Sequence, residues 1–272
     1  MSAPRTRSTT GSGTYAAVNG IELYVEEHGE GRPLVLLHGG LGSGEMFGPV
    51  LTALAEHHRV ILPDLQGHGR TADIDRPMDL GAMADDIADL IEHLGLEQPD
   101  VVGFSLGGGV ALQLAARHPQ AVGKLVLASA GIRRSATYPE ILAQQEQVNG
   151  AAAAFMTETP MYQSYQANAP RPEDFPGLLD KLGAWMQDDF DFTEQTRSLT
   201  MPTLIVAADA DLCPPSHFVE VFALLDGGLR DGGWMNEGRP KGGHALAILP
   251  GLTHYSLSDA PLFAATVQAF LG

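Results

Sequence analysis

The stretch of sequence that decides the fold is DVVGFSLGGGVALQLAAR, residues 100–117. Its first five residues form an apolar, valine-rich run that is typical of a buried strand, and an apolar helical pattern follows from Gly108 to Arg117. Between the two, residues 103–107 match the pattern Gly-x-Ser-x-Gly, with Ser105 at its centre. A strand that turns at once into a helix strains the backbone of the central serine, and small flanking residues make that turn possible. The stretch therefore predicts a strand, a sharp turn that carries Ser105, and a helix.

Further strands have the same character as residues 100–104. They are continuous apolar runs and not alternating ones, which is typical of parallel strands covered on both faces: LVLLH (34–38), VILP (60–63), KLVLA (124–128), TLIVAA (203–208) and ALAILP (245–250). Helical patterns lie between them, the clearest at 79–94, where Asp79 can cap the first turn and Gly95 can end the helix. Asn19-Gly20 between two short strands predicts a type I′ hairpin. We expect an α/β fold with a mostly parallel, doubly wound central sheet of about eight strands, which begins with an N-terminal antiparallel hairpin.

One connection is too long for a simple crossover. About 70 residues separate KLVLA from TLIVAA, and we expect them to form a helical cap at about 131–200, inserted in a single domain that spans residues 14–272. Residues 1–13 are expected to form a flexible N-terminal tail. The insert holds eight of the 18 aromatic residues: Tyr138, Phe155, Tyr162, Tyr165, Phe175, Trp185, Phe190 and Phe192. Any single one of them is expected to bury the cap against the sheet, and as a group we expect them to make an apolar pocket over Ser105 for a small apolar or aromatic substrate.

Composition excludes several classes of protein. With 44% apolar and 18% charged residues, the 272-residue chain belongs with globular proteins, and its net charge of −17 would repel nucleic acids and anionic membranes. Cys213 is the only cysteine, so no internal disulfide can form, and neither a secretory signal nor a membrane span is expected. We therefore expect a soluble, cytoplasmic protein. The sequence lacks a dinucleotide fingerprint, a GK[ST] phosphate loop and HExxH, so no cofactor or metal is indicated, and it does not determine the oligomeric state.

A serine hydroxyl needs a base within hydrogen-bond reach, and the chain offers ten histidines. Reacting groups in open parallel sheets collect at the carboxyl ends of the strands, which sorts these candidates. His254 follows ALAILP and is the preferred base. His244 precedes the same strand and belongs to the opposite edge of the sheet. His217, which follows TLIVAA, is kept as a minor rival.

The acid that orients the base is expected after TLIVAA, where Asp209 and Asp211 both follow the strand. Asp211 is preferred because it lies further into the loop, from which it can reach the loop of His254, whereas Asp209 can cap the turn. The oxyanion of acyl transfer needs fixed N–H donors. Leu106 at the start of a helix supplies one, and Gly40 in the glycine-rich loop after LVLLH is chosen for the other, with Leu41 as the alternative.

These motifs together resemble the α/β-hydrolase superfamily, over roughly Tyr15 to Leu271. The similarity is carried, in the family order of nucleophile, acid and histidine, by HGG (38–40), DLQGHGRT (64–71), GFSLGG (103–108), ADADLCPP (208–215) and PGLTH (250–254). Position by position it implies Ser105 as nucleophile, Asp211 as acid and His254 as base, and a loop-shaping role for His68. A serine at the nucleophile position disfavours the branches that use a carboxylate, the epoxide hydrolases and haloalkane dehalogenases.

The resemblance, together with the motifs, predicts a cofactor-independent serine hydrolase, similar to esterases and lactonases, that cleaves a carboxylic ester or lactone through an acyl-enzyme on Ser105. One alternative keeps the same three residues but uses them for C–C bond hydrolysis, acyl transfer or perhydrolysis. A second alternative is a non-catalytic binder of small ligands, since some members of the superfamily are receptors.

Overall fold

The computed structural model describes residues 13–238 and 241–272, so the predicted tail lies outside the described residues except for Gly13. Within these ranges the chain forms eight strands, and they join in one sheet: β1 (Thr14–Val18), β2 (Ile21–His28), β3 (Arg32–Leu37), β4 (His58–Pro63), β5 (Asp100–Phe104), β6 (Leu125–Ala128), β7 (Thr203–Ala210) and β8 (Ala245–Thr253).

The strands lie in the order β1-β2-β4-β3-β5-β6-β7-β8. β1 pairs antiparallel with β2 and β2 antiparallel with β4, whereas every other pairing in the sheet is parallel. The hairpin turns at Asn19 and Gly20, whose φ angles of 43° and 79° are both positive, as a type I′ turn requires. The predicted mostly parallel sheet with an N-terminal hairpin is confirmed.

Helices cover both faces of the sheet. They are α1 (Gly48–Ala55), α2 (Leu80–His93), α3 (Leu106–Arg117), α4 (Pro139–Gln145), α5 (Pro160–Asn168), α6 (Phe175–Gln187), α7 (Thr193–Arg197), α8 (Pro215–Leu224), α9 (His254–Leu257) and α10 (Pro261–Leu271). One core cluster packs α2, α3 and α8 on one face, and a second packs α1 and α10 on the other. The sheet is therefore doubly wound, as expected from its unbroken apolar strands.

Helix α2 shows how local sequence sets an element's ends. The Asp79 carboxylate accepts a hydrogen bond from Ala82 N–H and caps the first turn, and Gly95 follows the helix with a φ of +62°. Between these ends the apolar stripe, including Met83, Ile87 and Leu90, is fully buried against the sheet.

The connection between β6 and β7 is helical. Residues 131–200, named here the helical segment, contain α4 to α7 and three short 3₁₀ helices, Arg134–Ala136, Gly150–Phe155 and Pro172–Asp174. Polar contacts link the helical segment to the rest of the domain. Lys181 Nζ lies 2.6 Å from Asp73 Oδ2, and Glu45 accepts hydrogen bonds from Ser164 and Asn168 of α5. Among the described residues, no helix is both long enough and apolar enough to cross a membrane.

Candidate active site

The site begins at the turn between β5 and α3. Ser105 has a φ of 53° and a ψ of −116°, a backbone conformation that residues other than glycine rarely adopt. The turn is crowded with main chain: a Cβ on Gly103 would lie 2.2 Å from the carbonyl oxygen of Gly107, and one on Gly107 would lie 2.4 Å from that of His38. Both glycines are therefore required by close backbone approach, and the strained serine points out of the turn.

At four neighbouring strands, the residue directly after the end of the strand lies at the site. Ser105 follows β5, Ser129 follows β6, Asp211 follows β7 and His254 follows β8. β8 runs to Thr253, three residues beyond the predicted strand end at Pro250, so His254 stands at the strand end itself and begins α9. This shared edge brings together side chains that are up to 149 positions apart in the chain.

Ser105, His254 and Asp211 form one hydrogen-bonded chain. His254 Nε2 lies 3.0 Å from Ser105 Oγ, and His254 Nδ1 lies 2.8 Å from Asp211 Oδ1. Both the imidazole and the carboxylate are buried, with 6% and 8% of each residue exposed. The ring of Phe104 packs against the imidazole at a centroid distance of 5.1 Å. This geometry allows the imidazole to accept the serine proton while the carboxylate holds the ring in place.

The carboxylate of Asp211 is held by more partners than the histidine alone. It also accepts hydrogen bonds from Ser129 Oγ at 2.5 Å and from the backbone N–H groups of Ala208 and Leu212. Burial raises the pKa of this carboxyl, but the hydrogen bonds from His254, Ser129 and Leu212 outweigh burial and leave the pKa below its usual value. Asp211 is therefore an anion at neutral pH, suited to pairing with an imidazolium.

Ser129 is a site residue that the sequence reasoning missed. Its φ of 49° is positive, and its hydroxyl donates to the acid. A signal was available, because Ser129 stands directly after the run KLVLA, at the same strand edge that was used to choose His254 and Asp211.

The rival residues lie elsewhere. His217 is buried, and its Nε2 accepts a hydrogen bond from Ile132 N–H. His244 precedes β8 and lies beside a second cavity with Lys124 and Phe270, at the opposite edge of the sheet. The Asp209 carboxylate accepts hydrogen bonds from Gly251 and Leu252 N–H at 3.0 and 3.2 Å. Among the described residues, none of the three makes a hydrogen bond or ion pair with the side chains of Ser105 or His254, although Asp209 does hold the loop that leads to His254.

The glycine-rich loop after β3 lies beside Ser105. Gly40, Leu41 and Leu106 all line the cavity above the serine, and within the described chain none of their backbone N–H groups has a hydrogen-bond acceptor. Leu106 N–H is at the start of α3, where helix N–H groups are unpaired. Leu106 and either Gly40 or Leu41 are thus free to donate to an anion at this point.

His38 holds the glycine-rich loop in place. Its Nδ1 lies 2.8 Å from the carbonyl oxygen of Gly39, and its Nε2 lies 2.9 Å from Leu65 N. Because Nε2 must accept from Leu65 N–H, Nδ1 carries the proton that is donated to Gly39. A peptide unit is planar, so fixing the Gly39 carbonyl also fixes the direction of Gly40 N–H. Complete burial lowers the pKa of His38 to about 4, which keeps the ring neutral at neutral pH.

His68 packs against His38, with ring centroids 5.2 Å apart. Its Nδ1 lies 2.8 Å from the carbonyl oxygen of Gln66, within the loop that follows β4. Burial, reinforced by the neighbouring His38, lowers the pKa of His68 to about 3. The ring is therefore a neutral part of the loop packing and lies away from Ser105.

A cavity of about 690 Å³ opens above Ser105, and most of its wall is apolar. Of the eight aromatic residues of the helical segment, Trp185, Phe190 and Phe192 line it, and the core adds Phe104 and Tyr255. The other five do not line this cavity, so only part of the group forms the expected pocket. Phe155 is 89% exposed, Tyr138 lies outside the wall, and the rest form an aromatic cluster inside the helical segment, made of Tyr162, Tyr165 and Phe175. Tyr165 and Phe175 belong to the buried cluster that also covers one face of the sheet, and Tyr162 packs against that cluster, so these rings anchor the helical segment on the core of the protein.

Comparisons with known proteins agree with this geometry. A family model for the α/β-hydrolase fold matches residues 32–160. A Yersinia enterocolitica protein assigned the name carbamate hydrolase RutD is 33% identical over 248 residues, 83% of this chain and 87% of that protein. The 2-hydroxymuconate semialdehyde hydrolase of Pseudomonas sp. CF600 is 39% identical over 139 residues, 48% of each chain. A thermophilic esterase from Thermogutta terrifontis superimposes with a TM-score of 0.72 at 23% identity, covering 96% of this chain and 98% of its own.

The sheet, the strained serine turn and the matched sequences define an enzyme of the hydrolase class. The chain belongs to the α/β-hydrolase family. Within the described ranges, no group of three or more histidine, cysteine, aspartate or glutamate side chains is arranged to hold a metal ion.

Proposed function

We propose that this protein is a serine hydrolase that cleaves a carboxylic ester or lactone through an acyl-enzyme on Ser105. The observation that carries the proposal is the hydrogen-bonded chain from Ser105 through His254 to Asp211, which ends beneath a mainly apolar cavity. A cavity of about 690 Å³ is of the size that takes a small molecule.

The chemistry follows from the positions of the atoms. Ser105 Oγ attacks the carbonyl carbon while His254 Nε2 takes the hydroxyl proton, and Asp211 stabilises the imidazolium. The N–H groups of Leu106 and Gly40, with Leu41 as the alternative to Gly40, donate to the oxyanion. As the tetrahedral intermediate collapses, His254 gives its proton to the leaving alkoxide; the alcohol of an ester departs, whereas that of a lactone stays attached to the acyl group as a free hydroxyl. Water then attacks the acyl-enzyme, with His254 again as base, and releases the acid and the free serine.

The same residues suit a second reaction, the hydrolysis of an activated C–C bond next to a carbonyl group or of a carbamate. The relatives named as a 2-hydroxymuconate semialdehyde hydrolase and a carbamate hydrolase favour it. In either case the bond to the carbonyl carbon is broken and the nucleophile and base are unchanged, so the substrate distinguishes the reactions. Acyl transfer and perhydrolysis would in addition require an acceptor alcohol or peroxide in place of water.

The test is a panel of esters and lactones of increasing acyl length, with a carbamate ester and a vinylogous 1,5-diketone added, and products identified by mass spectrometry. We expect ester or lactone turnover that falls by about 10⁴-fold or more in Ser105→Ala and in His254→Ala. Cys213→Ser is the matched control, since the thiol of the single cysteine is another nucleophile on the cavity wall, and this variant should keep full activity. Turnover of the diketone alone would move the assignment to C–C hydrolysis, and activity that survives in Ser105→Ala would refute the proposed mechanism.

A further inference from the structure

The charged side chains on the cavity wall differ in how many of their polar atoms have a hydrogen-bond partner in the protein. They are Glu45, Arg134 and Asp211. Asp211 accepts four hydrogen bonds from the protein. Glu45 accepts from Ser164 and Asn168 and lies 3.5 Å from Arg70. Arg134 alone of these three keeps polar atoms without a protein partner among the described residues.

Arg134 is fixed at one end and free at the other. Its backbone N–H donates to the carbonyl oxygen of Phe190, and its side-chain Nε donates to that of Met186, both at 3.0 Å. These two bonds hold the half-buried side chain against the wall that carries Trp185, Met186 and Phe190. In the described part of the chain neither terminal guanidinium nitrogen has an acceptor, so up to four N–H groups remain available.

An arginine without a carboxylate partner is unusual in this molecule. The chain has 33 acidic residues against 16 basic ones, so anionic partners are abundant. Of the ten arginines in the described residues, eight lie within 4 Å of a carboxylate, and the exceptions are Arg134 and Arg230. Arg230 is exposed to water. The neighbouring Arg133 is paired with Glu220, which shows that this region does supply counter-ions.

Three further polar residues line the same cavity. Thr137 follows in the chain, and Gln144 and Gln145 of α4 also line the cavity. Neither glutamine side chain has a hydrogen-bond partner among the residues that the structure describes. The mainly apolar cavity thus carries one arginine with free donors and three polar residues on its wall, and these four residues are here called the Arg134 patch: Arg134, Thr137, Gln144 and Gln145.

We propose that the Arg134 patch binds a carboxylate carried by the substrate, remote from the bond that is cleaved. Arginine presents parallel N–H donors that match the two oxygens of a carboxylate, and such a pair is stronger away from bulk water. The proposal rests on the proposed function and sharpens it: the preferred substrate is a half-ester or a lactone acid, and a neutral ester is the poorer substrate.

The carboxylate could belong to the acyl part or to the leaving group, and two probe pairs separate these sources. p-Nitrophenyl hydrogen glutarate is compared with p-nitrophenyl hexanoate, and 3-carboxyphenyl pentanoate with phenyl pentanoate. In the wild type we expect the charged member of one pair to have the higher kcat/KM. Arg134→Gln should lower kcat/KM for that charged probe about tenfold or more, mainly through KM, and change the neutral probe by less than about twofold.

Arg134→Lys keeps the charge but loses the paired donors, so it should fall between the wild type and Arg134→Gln. Arg133→Gln is the control, because the neighbouring arginine is bound to Glu220 and should leave the ratio of charged to neutral turnover unchanged. Equal losses for charged and neutral probes would mean that Arg134 only braces the wall through Met186, and would overturn the proposal. Higher wild-type activity on both neutral members would overturn it as well.

A binding measurement needs no turnover. In Ser105→Ala, calorimetry should detect glutarate binding that weakens about tenfold or more when Arg134→Gln is added, and weaker binding of the uncharged pentanamide that does not change. If the wild type cleaves none of the four esters while this binding pattern holds, the proposed ester hydrolysis fails and the carboxylate site stands. If neutral esters are cleaved and Arg134→Gln leaves glutarate binding unchanged, the carboxylate site alone fails.

Discussion

The same types of residue have opposite surroundings in the sheet core and in the helical segment. Gly107 in α3 and Gly177 in α6 are both helical glycines, yet a Cβ on Gly107 would strike two carbonyl oxygens while one on Gly177 would meet nothing within 4 Å. The charges differ likewise: Asp211 at the edge of the core is saturated with hydrogen bonds, whereas Arg134 in the helical segment keeps free donors. The core thus fixes the Asp211 side chain through hydrogen bonds, and the helical segment leaves the Arg134 side chain with donors for a ligand.

The largest expected difference between the two regions is in the stability change when Gly107 or Gly177 is replaced by alanine. Gly107→Ala should lower the free energy of unfolding by about 3 kcal/mol or more, or prevent folding, because backbone atoms of His38 and Leu37 cannot move aside. Gly177→Ala should instead raise it by about 0.5–1 kcal/mol, because alanine favours the helix and meets no obstacle. Urea denaturation followed by circular dichroism measures both. Similar destabilisation by the two substitutions would remove the contrast between core and helical segment.

Acid should destabilise the sheet core through its buried histidines. The helical segment contains no histidine. His38 and His68 are buried with pKa values lowered to about 4 and about 3, whereas in the unfolded chain they take up protons below about pH 6.5. The unfolded state therefore binds more protons in this range, and the free energy of unfolding should fall as the pH drops from about 6.5 towards 4. Each histidine should account for about 2 kcal/mol between pH 7 and pH 5.

Urea titrations at several pH values measure that slope. Burial also lowers the pKa of His217 to about 4, so three buried histidines contribute to the slope. His68→Gln should therefore reduce it by about a third, whatever the variant's stability at pH 7, and His57→Gln, at an exposed position, should leave it as in the wild type. An unchanged slope in His68→Gln would show that the acid sensitivity arises elsewhere.

The residues of the helical segment that line the cavity should determine which substrates bind, without changing the chemical step. Trp185 lines the cavity and stacks on Phe190 at 5.9 Å. Trp185→Ala should lower kcat/KM about tenfold for esters of long or aromatic acids, because apolar contact area is lost, and leave acetyl esters within about threefold. Phe155→Ala removes an aromatic ring of the same segment that is 89% exposed, and should change neither. Equal losses on acetyl and long-chain esters in Trp185→Ala would instead assign the tryptophan to folding of the segment.

The smallest effect is expected at the contacts that join the two regions. Lys181 Nζ donates to Asp73 Oδ2 and to the carbonyl oxygen of Ile74, at 2.6 and 2.7 Å. Lys181→Met should raise KM about two- to fivefold with kcat unchanged, since a partly exposed pair contributes about 1 kcal/mol or less. Arg197→Met removes an ion pair that lies within α7 and should leave KM unchanged. A lower kcat in Lys181→Met would show that the attachment of the segment also positions the reacting groups.

The sequence predicted the core far better than the helical segment, for a physical reason. Ser105, Asp211 and His254 each follow a parallel strand, and the rule that such strands end at one edge brings them together without any knowledge of packing. Ser129 follows the same rule and was overlooked. Which aromatic rings of residues 131–200 face the cavity depends on how several short helices pack, and no periodicity in the sequence encodes it. Trp185 and Tyr165 were therefore indistinguishable until their contacts were known.

The central claim is that Ser105 is an activated nucleophile, and covalent labelling tests it most directly. The folded protein is treated with a fluorophosphonate, digested, and mapped by tandem mass spectrometry. We expect a single stoichiometric adduct on Ser105, at least about 100-fold slower in His254→Ala and absent in Ser105→Ala. A folded wild-type protein that remains unlabelled at Ser105, or that is labelled at Cys213 or Ser129 instead, would contradict the mechanism.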